Sequence, residues 1–166
     1  MLKKSLILNG SLRRGNTHNV LSIFLDYIVG EIEIVSDNVS SCLNCGSCTT
    51  GKCAINDRLS DLLEDKYDYI FIFSSVYFFG INAKAKAFLD RLYSYKHTGD
   101  TTLVVVTTSG SDTDDLFSGI NIIKQQFSLI KEFCGYKDIK YINFVTNDEI
   151  IEIDETKIAD FMEDLQ

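Results

Sequence analysis

Four of the five cysteines in this chain lie close together, in the order Cys42, Cys45, Cys48 and Cys53. Their spacing is C-x2-C-x2-C-x4-C. Thiolates this close can converge on one small inorganic centre, and an iron–sulfur cluster takes four of them. A structural zinc site more often uses two cysteine pairs that are separated by about a dozen residues or more. The spacing therefore favours a 4Fe-4S cluster, with a four-cysteine zinc site as the alternative.

Composition limits the classes of protein to which the chain can belong. Its 166 residues, of which 45% are hydrophobic and 24% charged, are typical of one soluble domain. A net charge of −8 argues against nucleic acid or an anionic membrane as a partner. The apolar runs are too short to span a bilayer or to act as a signal peptide. We therefore expect a cytoplasmic protein whose clustered thiols serve metal or redox chemistry.

Five short segments have the apolar patterns of β-strands. Residues 6–8, 69–73 and 103–106 are apolar throughout, which is typical of strands covered on both faces. Residues 31–34 alternate between charged and apolar side chains, as a half-exposed edge strand does. Residues 139–145 complete the set. The first, third and fourth strands should therefore be central, and the second should lie at an edge.

Apolar stripes with helical spacing lie between the strands and after the last one. One helix is predicted from Thr17 to Gly30, and a short one follows Asn56 or Asp57. The third is capped by Asn82 and is expected to direct three basic side chains outward, namely Lys84, Lys86 and Arg91. A long helix runs from Leu116 to Cys134, whose thiol we expect to be buried and structural, and a closing helix carries Ile158 to Leu165.

Strands that alternate with helices predict a parallel α/β sheet between two helical layers. The central and edge positions inferred above fit a flavodoxin-like three-layer sandwich with a five-stranded sheet in the order 2-1-3-4-5. Residues 1–166 then form a single domain, with a cysteine loop at residues 40–56 inserted after the second strand. In such a sheet a ligand lies beyond the carboxyl ends of the strands, beside the switch between strands one and three.

The first of three loops at that edge covers residues 10–17, between the first strand and the first helix. Its hydroxyl and amide side chains, backbone N–H groups and helix N-terminus favour a phosphate group. Arg13 or Arg14 could donate a forked pair of hydrogen bonds to the same anion. The alternative is an ordinary polar turn in which Thr17 caps the helix.

Two further loops lie at the same edge. Residues 74–82 contain three consecutive aromatics, Tyr77, Phe78 and Phe79, which suit the face of a flat apolar ring. The alternative is that these aromatics close the end of the core. Residues 107–111 are rich in serine, threonine and glycine, which allow a ligand to approach the backbone but are common in loops. The three loops together favour a ligand site because all of them lie at the same edge of one sheet.

The loop motifs together resemble a known family. The run Asn9-Gly10-Ser11-x-Arg13…Gly15-Asn16-Thr17, the cysteine loop, and Ser75-Val76-Tyr77-Phe78 with Lys86-Ala87-Phe88-Leu89-Asp90-Arg91 resemble the iron–sulfur flavoprotein branch of the NAD(P)H-dependent FMN reductases. The resemblance extends from about Leu6 to Arg91, with a matching strand and loop at 104–110. The family usually has proline where this chain has Leu12 and Ser75, and its first loop is commonly one residue longer.

This resemblance implies a flavodoxin-like fold, bound FMN, and a homo-dimer or tetramer, with a 4Fe-4S cluster near the FMN and often across a subunit interface. It assigns the FMN phosphate to Ser11, Arg13, Asn16 and Thr17. It assigns the flavin ring to Ser75, Val76, Tyr77, Phe78, Phe79 and Gly80 on one side and to Thr108, Ser109 and Gly110 on the other. It makes Cys42, Cys45, Cys48 and Cys53 the metal ligands, and it requires no side chain as nucleophile or general base.

The sequence thus predicts an FMN-dependent oxidoreductase. It would transfer electrons between NAD(P)H or ferredoxin-type carriers and an acceptor, through FMN and a 4Fe-4S cluster. Two alternatives remain open. The first is a cluster-free NAD(P)H:quinone or flavin reductase, and the second is a flavodoxin-like carrier in which the four cysteines hold a structural zinc ion.

Overall fold

The structure, a computed structural model, describes residues 2–110, 119–146 and 153–165. Its main sheet is parallel and contains β1 (Lys4–Asn9), β2 (Glu31–Val35), β3 (Tyr69–Tyr77), β5 (Thr102–Ser109) and β6 (Asp138–Val145). A two-residue strand, β4 (Gly80–Ile81), pairs antiparallel with the end of β3. The main strands lie in the order β2-β1-β3-β5-β6, which confirms the predicted flavodoxin-like order once the short β4 is set aside.

Helices cover both faces of the sheet. They are α1 (Asn16–Tyr27), α2 (Arg58–Leu62), α3 (Ala83–Arg91), α4 (Gly119–Cys134) and α5 (Glu155–Leu165). One core cluster joins the sheet to α2, α3 and α4, and the other joins it to α1 and α5. Across the described ranges, no helix combines the length and the apolar character that crossing a membrane requires. The predicted start of the long helix at Leu116, like Ser111, lies outside the described residues.

The strand register brings the ligand-binding loops to one edge. Asn9 at the end of β1 pairs with Phe73 of β3. Further along β3, Ser75 pairs with Thr108 of β5. Because these strands are parallel, the segments that follow them leave the sheet on the same side. The three loops singled out in the sequence therefore lie next to one another.

The segment after residue 73 differs from the loop that the sequence predicted. The β3 strand continues to Tyr77, and the chain then turns through Phe78 and Phe79 into β4. Tyr77 pairs with Gly80 in this hairpin. The run of apolar residues predicted too short a β3, because its last four residues are held by strand pairing, Ser74 and Ser75 with β5 and Val76 and Tyr77 with β4.

Two side chains lie elsewhere than the helical pattern predicted. Arg91 was expected on the outer face of α3, but it is buried, with 1% of its surface exposed. Cys134 was expected in the core, but it is only half-buried at the end of α4. Partial burial still raises the pKa of the Cys134 thiol. In both cases the helical spacing of apolar residues did not predict how deeply the side chain is buried.

Candidate functional site

The first loop makes a tight turn directly after β1. The N–H of Gly10 donates to the carbonyl of Phe73 at 2.8 Å, and the N–H of Ser11 donates to Oδ1 of Asn9 at 2.9 Å. The hydroxyl of Ser11 donates to the carbonyl of Arg13 at 2.6 Å. A Cβ on Gly10 would collide with the Phe73 carbonyl and stand 2.8 Å from Cβ of Ala85. Only glycine allows the loop to lie this close to the sheet and to α3.

The N-terminus of α1 has no side-chain cap. Its N-cap residue is Gly15, which has no side chain to accept a hydrogen bond from the first turn. Thr17 was the alternative cap, but its Oγ1 lies 2.6 Å from Oγ1 of Thr108 in a buried hydrogen bond. The first turn of α1 also carries no acidic residue. A helix end of this kind presents backbone N–H groups and a positive dipole end, which favour an anion.

Two basic side chains, those of Arg13 and Lys84, lie beside this helix end. The Arg13 side chain lies over Gly15, with its Nε 3.6 Å from the place where a Cβ would stand. Arg13 and Arg14 are exposed, and neither forms an ion pair with any described residue. The Nζ of Lys84 donates to the carbonyl of Ser11 at 3.2 Å and to that of Ser36 at 2.6 Å. Burial lowers the pKa of Lys84.

Asn82 joins the first loop to the second. Its Nδ2 donates to the carbonyl of Gly10 at 2.9 Å and to Oγ of Ser75 at 3.1 Å. Its Oδ1 accepts from the N–H of Ala85 at 3.0 Å, which is the helix cap that the sequence predicted. The side chain is buried, so these bonds are shielded from water. One amide thus fixes the spacing of both loops.

The third loop was predicted at residues 107–111, but Thr107, Thr108 and Ser109 continue β5, and their hydroxyl groups fix them to neighbouring elements. Thr108 contacts the first loop through the bond to Thr17, which joins the ends of β5 and α1. Thr107 and Ser109 donate to Oδ1 of Asn143 on β6, at 2.9 and 3.1 Å. All three hydroxyl residues are buried, while Gly110 is exposed. The loop therefore offers a rigid backbone edge to a ligand.

The hairpin between β3 and β4 carries exposed aromatic side chains. Tyr77 is 63% exposed, Phe78 100% and Phe79 58%, so these rings do not close the core. Both turn residues are left-handed, with φ of 48° at Phe78 and 64° at Phe79. Such a conformation costs a non-glycine residue on the order of 1–3 kcal/mol and is concentrated at functional sites. Exposed rings held in a strained turn indicate contact with a ligand or a partner.

The edge as a whole has the donor set that FMN requires. Its phosphate group needs an uncapped helix N-terminus and fixed positive charges, and α1 with Arg13 and Lys84 supplies both. Its ring needs apolar side chains beside a backbone edge, and the exposed aromatic hairpin and the end of β5 supply these. The residues present therefore fit FMN.

The cysteine loop has a different character. Cys42 and Cys45 are exposed, Cys48 and Cys53 are half-buried, and none of the four forms a disulfide bond. A short 3₁₀ turn at Ser47–Thr49 orders its centre, and hydrogen bonding with Ser47 lowers the pKa of Cys45. Within the described ranges, no three cysteine, histidine or acidic side chains are gathered around a common point. The donor chemistry fits a thiolate-bound metal, and binding one would require the loop to close.

Comparison with known proteins identifies the family. Residues 4–122, more than half of the chain, match the model of the NADPH-dependent FMN reductase family. The chain belongs to this family. Membership confirms the resemblance to the NAD(P)H-dependent FMN reductases that was inferred from the loop motifs.

Individual relatives of this FMN reductase family member are distant. A protein named "Iron-sulfur flavoprotein" from Archaeoglobus fulgidus is 29% identical over 100 residues, which are 55% of this chain and 46% of that protein. The chain thus aligns with about half the length of this curated relative.

Solved structures share the fold. An NAD(P)H:quinone oxidoreductase from Methanothermobacter marburgensis superimposes with a TM-score of 0.68 at 16% identity, covering 99% of this chain and 94% of that one. An FMN-dependent NADH-azoreductase from Bacillus anthracis, solved in complex with FMN, gives a TM-score of 0.61 at 15% identity, with 98% and 95% covered. Both likenesses support the flavodoxin-like fold.

The sequence did not predict the contacts of two residues at this candidate site. Lys84 was placed on the solvent face of α3, although its ammonium group contacts the first loop. Asn82 was recognised as a helix cap, but its bonds to Gly10 and Ser75 were not. Both lie at the start of the helix that follows the second loop, and that position at the ligand-binding edge was the available signal.

Proposed function

We propose that this protein is an FMN-dependent oxidoreductase that takes electrons from NAD(P)H and passes them to an acceptor. The observation that carries the proposal is the uncapped N-terminus of α1, with Arg13 over Gly15 and Lys84 on the same loop. An anion with two negative charges, such as the FMN phosphate, is the ligand that this arrangement suits. Family membership supplies the identity of the cofactor.

In this proposal each loop has one task. Ser11, Arg13, Asn16 and Thr17 hold the phosphate, with the Thr17–Thr108 bond fixing the loop beneath it. The hairpin residues Ser75 to Gly80 lie along the ring, and Thr108, Ser109 and Gly110 border its other side. FMN itself supplies the redox chemistry, since it accepts a hydride and releases electrons singly or in pairs. The chain's own residues bind it, orient it and keep water from one face.

We extend the proposal to the cysteine loop. Cys42, Cys45, Cys48 and Cys53 would hold a 4Fe-4S cluster, which would let a two-electron cofactor serve one-electron carriers of the ferredoxin type. Their spacing supports this role, as does the similarity to a protein named iron–sulfur flavoprotein. A cytoplasmic location agrees with clustered cysteines that form no disulfide bond. A cluster-free reductase and a structural zinc site are the alternatives that metal analysis separates.

We also propose a homo-dimer or tetramer that buries the outer face of α4. Ile122, Leu129 and Phe133 recur along this helix and are 44%, 68% and 78% exposed. Phe133 stacks on exposed Tyr93, with ring centroids 6.3 Å apart. A contiguous apolar face of this kind on a surface helix favours association. The proposed partner is a second copy of the chain. Although each copy has a net charge of −8, two copies can associate through this largely uncharged face.

The oligomer can be tested by substitution on this face. We expect the parent chain to elute as a dimer or larger species and Phe133→Glu to elute as a monomer, because a charge would be buried in the contact. Val29→Glu, at another exposed apolar position, is the matched control and should keep the parent's size. Size-exclusion chromatography with light scattering makes the comparison. A monomeric parent at micromolar concentration would contradict the proposal.

The FMN site can be tested with the two neighbouring arginines. Arg13→Met should weaken FMN binding about 10- to 100-fold, since a charged hydrogen bond to phosphate contributes roughly 1.5–3 kcal/mol. Arg14→Met, the matched control, should bind FMN more like the parent because Arg13 is the side chain that lies over Gly15. Quenching of FMN fluorescence gives the affinity, and NAD(P)H oxidation at saturating FMN gives the activity. Unchanged affinity in Arg13→Met would refute the phosphate assignment.

A further inference from the structure

Arg91 is a fully buried cation beneath the cysteine loop. It is the last residue of α3, only 1% of it is exposed, and it is among the largest fully buried side chains described. Burying a charge is unfavourable unless the charge is paired and hydrogen-bonded. The contacts that compensate for the burial of this charge therefore indicate the role of Arg91.

Those contacts reach both ends of the cysteine loop. Nη1 donates to the carbonyl of Ser40 at 3.1 Å, just before the first cysteine. Nη1 and Nη2 together donate to the two carboxylate oxygens of Asp57, at 3.0 and 2.7 Å, just after the last cysteine. Nη2 also donates to Oγ of Ser60 at 2.6 Å. One planar side chain thus bridges the two ends of the segment that holds all four clustered thiols.

The Asp57 side of this bridge is itself fixed. Asp57 is the N-cap of α2, and its Oδ1 accepts from the N–H of Ser60 at 2.9 Å. Ser60 donates its hydroxyl to the carbonyl of Ile55, inside the loop. The guanidinium, the cap and the loop carbonyls therefore form one network. Removing the guanidinium would free both ends together.

Arg91 also lies beside a cysteine. Although burial opposes its charge, the hydrogen bonds with Asp57 raise the pKa of Arg91, and the neighbouring Cys53 adds to that effect. Its Nε is buried and has no partner among the described residues. A buried donor without a partner is unfavourable, so the bonds of Nη1 and Nη2 must compensate for it. The charge of the guanidinium lies close enough to Cys53 to interact with it electrostatically.

We propose that Arg91 is the positioning residue of the cysteine loop, fastening both ends of the loop to α3 and holding a fixed positive charge near Cys53. The fastening is a property of the chain with or without metal. The charge acts on whatever thiolate-bound centre the loop holds, and this second part rests on the proposed function. Donors and positive charge near a ligand sulfur raise the reduction potential of an iron–sulfur centre.

Trypsin cleavage tests the fastening in metal-free protein. Lys52 is exposed within the loop, so cleavage after it reports loop opening. We expect Arg91→Met and Arg91→Lys to be cut there at least tenfold faster than the parent, because lysine keeps the charge but cannot bridge both ends. Lys86→Met, which removes an exposed partner of Asp90 on the same helix, is the control and should match the parent. Equal rates in all variants would overturn the proposal.

A milder variant tests the fastening even if the Arg91 variants do not fold. Ser60→Ala removes one acceptor of Arg91 and leaves the ion pair with Asp57 in place. If the Arg91 variants are cut throughout the chain, Ser60→Ala should still be cut faster at Lys52 alone. Cleavage identical to that of the parent would then overturn the fastening.

A redox titration tests the charge. After anaerobic reconstitution with iron and sulfide, we expect Arg91→Met to have a more negative reduction potential than the parent and Lys86→Met to match it. Identical potentials in all three would overturn the electrostatic role of Arg91. If neither the parent nor any variant takes up iron, the proposed metal centre is wrong. The cleavage experiment still shows whether Arg91 fastens the cysteine loop.

Discussion

We expect that replacing Phe78 with asparagine and Phe79 with glycine will stabilise the protein and lower its affinity for FMN. Both residues have positive φ in a two-residue hairpin turn, the geometry for which Asn-Gly is the preferred pair. Relief of the strain should raise the free energy of unfolding by about 1–3 kcal/mol. The same change removes two rings, of which Phe78 is fully exposed and contributes nothing to the core. We expect FMN affinity to fall about tenfold, the loss of roughly 1.4 kcal/mol of ring contact.

Urea unfolding of the FMN-free protein and FMN titration of the folded protein measure the two effects separately. Phe78→Leu is the matched control, because it removes one ring and keeps the strained backbone. It should leave the free energy of unfolding near that of the parent while weakening FMN binding. A double variant that is less stable than the parent, or that binds FMN equally well, would show that the hairpin is built for another reason.

Gly10→Ala should have the largest effect of any single methyl group added to the site. The new Cβ would meet the carbonyl of Phe73 and stand 2.8 Å from Cβ of Ala85, both within rigid elements. Overpacking of this kind costs about 1–3 kcal/mol, and the upper end applies because backbone atoms cannot rotate away. The bond from Asn82 to the Gly10 carbonyl would also be displaced. We therefore expect lower stability and impaired FMN binding together.

Gly15→Ala is the control for this prediction. A Cβ at Gly15 would meet only the Arg13 side chain at 3.6 Å, an ordinary contact, and its φ of −140° suits any residue. Thermal unfolding without FMN should place Gly15→Ala near the parent and Gly10→Ala well below it. Equal melting temperatures for the two variants would mean that the first loop does not lie as close to β3 and α3 as described.

The sequence was sufficient to predict the sheet and the edge at which the site lies. Continuous apolar runs at residues 6–8, 69–73 and 103–106 can be satisfied only by strands covered on both faces, and that determined the strand order. Once the order was known, the position of the three loops followed from chain direction. The cap at Asn82 was also predictable, since its partner, Ala85, is three residues away.

Features that depend on distant partners were not predictable. The outward position assigned to Arg91 followed from helical spacing, but its partners Ser40 and Asp57 lie 51 and 34 residues away. The hairpin at Phe78 and Phe79 was missed because no turn-forming residue marks it. In each case a local rule failed at a residue where long-range contacts or strain prevail, which is typical of functional positions.

The cysteine loop is another feature of which the sequence predicted only a part. Its spacing identified the chemistry of the ligands, because thiols within a few residues can share one centre. The arrangement of those thiols depends on the network around Arg91 and on the metal itself, and neither is contained in the spacing. Sequence therefore predicts which atoms could bind a metal, and the structure describes the loop that would have to close on it.

The most direct test of this account is the content of FMN, iron and acid-labile sulfide per chain in protein purified without oxygen. The account predicts one FMN per chain together with about four irons and four sulfides. FMN without iron would contradict the cluster and leave a cluster-free reductase of the same family. A chain that neither retains FMN nor binds it when it is added would contradict the central claim, that the edge formed by the loops after β1, β3 and β5 is a flavin site.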